Sequence, residues 1–308
     1  MSAKRQERIT YFANLLTRLR DEGKPQILRG LDTPLRINTL AAQIVDSLRR
    51  IEYCYILRDK SYNRNIIYPA QPYFDPLKAA VMQNRLGNID EACWLVFLAT
   101  HFGKHAKNGW SLAKKVYSGG NAGHLWDWQT ISANPEVFHD WLLNNQAYLS
   151  GEKFSNHRKY ESLNPNSNRG TAEVFRTYVD WVQSLGGWQA FLARNHNKNP
   201  RELFRYLYQD MRKVMGFGRL GRFDYLTMLG KLGIIPIEPD SAYLQGATGP
   251  LKGARLLFDN NRDSSRSAKD LDSDLLELDK YLNVGMQVSE DSLCNWQKNS
   301  DYYQRFSG

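Results

Sequence analysis

The sequence predicts a nearly all-α protein, and three observations carry that prediction. Apolar residues recur at helical spacing through most of the chain. Residues with N-capping or first-turn chemistry precede several of these runs. No stretch keeps the in–out alternation of a half-buried strand.

The elements follow in order. Ile9, Phe12, Leu15, Leu16 and Leu19 make one stripe, and Leu40, Ile44, Val45, Leu48 and Ile51 a second. Residues 63–76 are polar and aromatic with three prolines, which reads as a loop. Asn88, Ile89, Asp90 and Glu91 cap an apolar helix from Ala92 to Phe102. The glycine-rich stretch 118–123 breaks the chain, and Pro135 opens a helix that runs to Tyr148. Residues 151–170, rich in Asn, Ser and Lys, read as an exposed connection. Helices are expected at 171–185, 187–194, 201–215 and 220–232. Pro236 and Pro239 then force an extended loop. A flexible turn at 246–250 precedes a helix at 251–258, and 259–274 reads as solvated linker. Asp270, Asp272 and Asp274 lack the glycine and terminal glutamate of a calcium loop.

Bulk composition narrows the function classes. Forty-one Lys and Arg against 32 Asp and Glu give the 308-residue chain a net charge of +9, which favours a polyanionic partner. A soluble protein that is merely basic is the alternative. Cys54, Cys93 and Cys294 are too far apart for a paired-cysteine metal motif or a disulfide framework. The first 22 residues are charged and lack the apolar core of a signal peptide, and no run spans a bilayer. The expectation is a reduced, soluble, cytoplasmic monomer without metal or cofactor. His101 and His105 have the i, i+4 spacing of a metal pair, but no third ligand accompanies them.

The segment with most chemical content is Met215-Gly216-Phe217-Gly218-Arg219. Glycines let a backbone approach closely, and the following helix offers its N-terminus to an anion. Arg212, Lys213, Arg219 and Arg222 surround the turn, and no acid falls between Arg212 and Arg222. This combination grips a DNA phosphate without reading sequence. An ordinary helix–helix turn fits the glycines equally well. Asp240 follows in Pro239-Asp240-Ser241, where it is either a catalytic carboxylate or a helix N-cap.

The run as a whole resembles the helix-hairpin-helix DNA glycosylases of the endonuclease III type. Residues 215–219 look like that family's hairpin, and 239–241 look like its catalytic aspartate segment at a slightly longer spacing. Glu91 to His101 looks like its apolar helix ending in a residue wedged into the DNA stack, which would make His101 the wedge. A closer likeness covers more of the chain. Gly221-Arg222-Phe223-Asp224-Tyr225-Leu226, Pro239 to Leu244, Gly246 to Pro250 and Asp291 to Trp296 resemble the α-glutamyl/putrescinyl-thymine pyrophosphorylase family. That likeness implies a glycosylase-fold branch acting on hypermodified bases of phage DNA, some of whose members are anti-phage glycosylases. Two features depart from endonuclease III: Leu220 stands where a Schiff-base lysine would, and the four-cysteine cluster is missing.

The resemblance implies two helical lobes with a DNA cleft between them: 88–235, carrying the hairpin at 213–222, and 1–87 with 236–308. Asp240 is the expected catalyst, with Asp224 as backup unless it pairs with a neighbouring arginine. Lys213, Gly216, Gly218, Arg219, Gly221, Arg222, His101 and Lys104 are the expected DNA contacts. Trp94, His105, Tyr243 and Asp46 are the expected base pocket, although aromatics at helical spacing equally suit a core. The implied activity is removal of a bulky modified pyrimidine, glucosylated hydroxymethylcytosine or hypermodified thymine, from double-stranded phage DNA. A base-modifying transferase and a non-catalytic DNA-binding module are the alternatives.

Overall fold

The computed structural model describes residues 3–120, 123–167 and 169–305. Its regular elements are all helical, and the only β pairings among the described residues are two isolated bridges, His105 with Gly109 and Ser162 with Gly170. The α-helices are α1 (Ala3–Glu22), α2 (Pro34–Asp59), α3 (Pro76–Arg85), α4 (Ile89–Phe102), α5 (Ser111–Tyr117), α6 (Trp128–Ala133) and α7 (Pro135–Asn144). They continue with α8 (Thr171–Ser184), α9 (Trp188–Asn195), α10 (Pro200–Asp210), α11 (Arg219–Lys231), α12 (Gly249–Asp259), α13 (Ala268–Leu282) and α14 (Met286–Trp296). Among the described residues no helix is long and apolar enough to cross a membrane.

The chain divides into two compact units, and the division falls inside α2. One unit holds the residues up to Tyr53 and those from Pro239 onward; the other is Cys54–Glu238. The first is built on the two stripes read from the sequence. Ile9, Leu16, Leu19, Leu40, Ile44 and Val45 share a core with Leu256, Leu271, Leu275, Leu293 and Trp296 from the C-terminal helices. Helix α13 starts at the N-cap Ser267, whose hydroxyl oxygen accepts the Asp270 N–H at 3.1 Å. The linker expected at 259–274 is therefore wrong from residue 268 onward, and its aspartates have structural partners. Asp270 takes part in the cap, Asp272 accepts from Ser241 and Leu244, and Asp274 accepts from Gln26 and Arg266.

The second unit is organised around α4, whose residues Ala92–Ala99 are all buried. Residues 54–87 belong to this unit, because α3 packs against α4, whereas the sequence grouped them with residues 1–53. Asp75 caps α3 by accepting the Leu77 and Lys78 N–H groups, with Pro76 in the first turn. Asn88 makes no side-chain cap on α4 and instead donates to Gln83. The two acids after it reach other helices. Asp90 accepts the Trp188 N–H at the start of α9 at 2.7 Å, and Glu91 accepts the Trp128 N–H at the start of α6 at 2.6 Å. Each carboxylate thus satisfies an orphan first-turn donor of a distant segment. Burial pushes the Glu91 carboxyl up to about 7, against the Trp128 N–H and Tyr117 hydroxyl that favour its charged form.

Candidate functional site

The hairpin is built by the helices on either side of it. Asn199 caps α10, which buries Leu203, Phe204, Leu207 and Tyr208. A 3-10 turn, Met211–Lys213, then reverses the chain into Val214 and the glycines. Phe217 is 2% exposed and stacks on Phe97 at 4.6 Å between centroids, so the residue between the glycines anchors the turn in the core. Gly216 has φ +72°, a left-handed conformation that other residues rarely adopt. Gly216 and Gly218 are exposed, and their amide N–H groups have no hydrogen-bond partner among the described residues. Arg212 and Lys213 are exposed beside them, Lys213 paired with Asp210.

Two other members of the expected DNA-contacting set have structural tasks. Arg222 donates to the Tyr208 carbonyl at 2.8 Å and to the Gly218 carbonyl at 3.3 Å, bracing α10 against the turn. Gly221 is buried, and a Cβ there would lie 2.9 Å from both terminal nitrogens of Arg158. It is a slot for that guanidinium rather than a DNA contact. Arg219 lies 6.0 Å from the Phe223 ring centroid.

Arg158 is the residue that sequence reasoning missed. It lies in the stretch expected to be an exposed connection, yet it is only 8% exposed and its guanidinium is 4.9 Å from the Phe217 ring centroid. Burial lowers its pKa, while Asp224 and Glu161 act to raise it. Burial raises the carboxyls of Glu161 and of Asp224, the latter against Arg158, Lys231, His157 and Arg219. Asp224 and Glu161, both partly buried, therefore form a charge cluster with the buried Arg158 beside the hairpin. The only signal in the sequence was an arginine within an otherwise featureless polar stretch.

His101 is not a wedge. It is 1% exposed, faces Phe97, Phe102, Phe154, Phe175 and Phe217, and its Nε2 lies 3.1 Å from the Thr171 hydroxyl. Burial, aided by Arg158, holds its pKa well below the ordinary value, so the ring stays neutral. Helix α4 ends at Phe102 and Gly103 turns to φ +65°, so His101 and His105 do not share a helical face. Among the described residues no three His, Cys, Asp or Glu form a cluster able to hold a metal ion.

The residues expected to line a base pocket each have partners within their own unit. Trp94 is fully buried and donates to the Trp126 carbonyl at 2.8 Å, so it is core. His105 accepts the Lys107 and Asn108 N–H groups in a tight turn, while Lys104 is exposed near the Trp110 ring. Asp46 is bound by Arg5 at 2.8 Å and by the Tyr303 hydroxyl. Burial pushes its carboxyl up, but Arg5, Tyr303 and Arg49 outweigh that and hold it below the usual range. A cavity of about 540 Å³ lined by Glu136, His139, Glu173, Arg176 and Met215 includes none of these residues.

Asp240 does not cap a helix, because residues 239–248 form an irregular loop. It is 8% exposed and accepts the Tyr243 hydroxyl at 2.5 Å. Tyr243 has φ 51°, and its N–H donates to the Ser241 hydroxyl oxygen at 2.9 Å. That hydroxyl in turn donates to Asp272 at 2.8 Å, and Asp272 also accepts the Leu244 N–H at 3.0 Å.

These features define an all-helical protein with a basic glycine hairpin in one unit and a pinned, nearly buried aspartate in the other. The chain belongs to the alpha-glutamyl/putrescinyl thymine pyrophosphorylase family, clade 3, whose profile matches residues 35–308. By its name this is a family of enzymes acting on modified thymine, which ties the chain to DNA base modification without separating base removal from pyrophosphorylase chemistry. No curated protein and no solved structure matches the chain.

Proposed function

We propose that the protein is a monofunctional DNA glycosylase of the helix-hairpin-helix type, acting as a cytoplasmic monomer in anti-phage defence. It removes a bulky modified pyrimidine, glucosylated hydroxymethylcytosine or hypermodified thymine, from double-stranded phage DNA and leaves an abasic site. The observation that carries this reading is the hairpin. Burial of Phe217 fixes the turn while Gly216 and Gly218 keep exposed, unbonded N–H groups beside Arg212 and Lys213. That is the equipment for holding a phosphate without reading the base.

In this reading the target nucleotide leaves the stack, and its C1′–N1 bond breaks with the electron pair departing on the base. The deoxyribose becomes oxocarbenium-like. Asp240 stabilises that charge and takes a proton from water as the water oxygen bonds to C1′. The departing base takes its proton from solvent. Leu220, in the first turn of α11, has no amine to form an imine with the sugar, so strand cleavage is not part of the reaction.

The family name favours a second reading, a base-modifying transferase in which a nucleophile displaces pyrophosphate from an activated base. One assay separates the two. The protein is incubated with duplex oligonucleotides carrying glucosylated 5-hydroxymethylcytosine, glutamyl- or putrescinyl-thymine, or no modification. Free base with alkali-labile sites, reduced about a thousandfold by Asp240→Asn, is the expected result. An intact sugar bearing a base of altered mass supports the transferase, and binding without either product supports a DNA-binding module.

A further inference from the structure

We infer that Tyr243 is the positioning residue of Asp240, held to that task by Ser241 and Asp272. The inference rests on the glycosylase reading of Asp240 and gives Tyr243 a role other than lining a base pocket.

The backbone supplies the first observation. Tyr243 sits at φ 51° between Ala242 and Leu244, both fully buried. A bulky aromatic rarely occupies this left-handed region, and such residues persist only where their surroundings over-determine them. Here the surroundings are specific. The Ser241 hydroxyl oxygen takes the Tyr243 N–H while its proton goes to one oxygen of Asp272, and the other oxygen of Asp272 takes the Leu244 N–H. One carboxylate on α13 therefore ties down the residues on both sides of the strained position.

The side chain supplies the second. A left-handed residue reverses the local chain direction, which lets a side chain reach back three positions instead of continuing outward. The Tyr243 hydroxyl uses that reach to donate to Asp240 Oδ1 at 2.5 Å. A short hydrogen bond from a hydroxyl to one carboxylate oxygen fixes the plane and aim of the group. Stabilising an oxocarbenium-like sugar needs that preorganisation, because the carboxylate must be aimed at C1′ before the bond breaks. Tyr243 acts only through Asp240, so its removal slows the chemical step and leaves DNA binding alone.

The test is steady-state base release over a range of concentrations of a duplex carrying glucosylated 5-hydroxymethylcytosine or glutamyl- or putrescinyl-thymine, whichever the wild type processes. Wild type is compared with Tyr243→Phe, Ser241→Ala and Asp240→Asn, with affinity for the same duplex measured alongside. Asp240→Asn is expected to abolish release. Tyr243→Phe is expected to lower kcat tenfold to a hundredfold, with KM and DNA affinity within twofold of wild type. Ser241→Ala, which loosens the left-handed turn without touching Asp240, is expected to give a smaller loss of the same kind. Should Tyr243→Phe fail to fold by circular dichroism, Ser241→Ala alone decides by the same kcat-against-KM criterion. Wild-type kcat in Tyr243→Phe while Asp240→Asn is inactive overturns this inference and leaves the glycosylase reading standing. A raised KM at unchanged kcat overturns it in favour of a base-pocket contact. Activity that survives Asp240→Asn overturns both.

Discussion

The two units handle buried charge in opposite ways. In the unit built from α1, the first part of α2 and α12–α14, carboxylates are matched to donors. Asp46 is held by Arg5 and Tyr303, Asp274 by Gln26 and Arg266, and Asp279 accepts two N–H groups from Val284 and Gly285. In the Cys54–Glu238 unit, charge is buried with less compensation. Glu91 has only neutral donors, and Glu161 Oε2 and Arg158 Nη2 are buried without a hydrogen-bond partner. The Asp46 carboxyl is held below its usual range by its partners, while burial pushes those of Glu91 and Glu161 up. Acid therefore removes the contribution of Asp46 in the first unit, and base removes that of Glu91 in the second. The hairpin rests on the unit that tolerates the uncompensated charge.

The sharpest way to break this contrast is through Glu91. Its carboxyl is raised from 4.5 to about 7, so between those values the folded state holds a proton that the unfolded state has released. The contribution of Glu91 to stability is fully present below pH 4.5 and is lost as pH rises through 7, by about 3 kcal/mol for a shift of this size. Urea denaturation at pH 5 and 7.5 should show that fall in wild type and a much flatter profile in Glu91→Gln. An unchanged profile in the variant would remove Glu91 as its source.

Asp46 has the opposite sign. Its carboxyl is lowered from 3.8, so its contribution is complete above that value and disappears as pH falls through the folded pKa. Asp46→Asn leaves Arg5, 9% exposed, without its charged partner and should cost about 2 kcal/mol at pH 7. The same denaturation experiment checks it, and a loss confined to pH values below 3 would contradict the pairing.

Two glycine substitutions sharpen the comparison at the hairpin. Gly216→Ala places a side chain at φ +72° and a Cβ 3.2 Å from Glu161 Oε2, costing about 1–2 kcal/mol. Gly218 has φ −65° and open space around its missing Cβ, so Gly218→Ala should shift Tm by no more than about a degree. Equal destabilisation by the two would contradict the turn geometry. The smallest expected effect is at Arg212 and Lys213. Replacing both by alanine should reduce the slope of log affinity against log salt for duplex DNA by about one to two. A slope that does not change would place the phosphate contacts elsewhere.

Much of the fold was legible because helix formation here is local. The stripes at 9–19 and 40–51, Pro135 at a first turn and the break before α11 all depend on neighbours within a few residues. The Gly216–Gly218 turn was legible for the same reason. What failed was whatever depended on a partner far along the chain. His101 looks like a surface residue at a helix end until Phe154, Phe175 and Phe217 close over it. Asp272 looks like linker until Ser241 and Leu244 are seen to bind it. Arg158 has no periodicity to mark it, and its slot is formed by a glycine more than sixty positions later.

The adjacent acids Asp90 and Glu91 have a consequence for assembly. One turn of α4 holds the amide ends of two helices whose first residues are Trp128 and Trp188. Neither docking point is complete until the chain has delivered a segment from well downstream, and closing such long loops is slow. The interior of this unit therefore depends on closing loops that span 37 residues for α6 and 98 residues for α9.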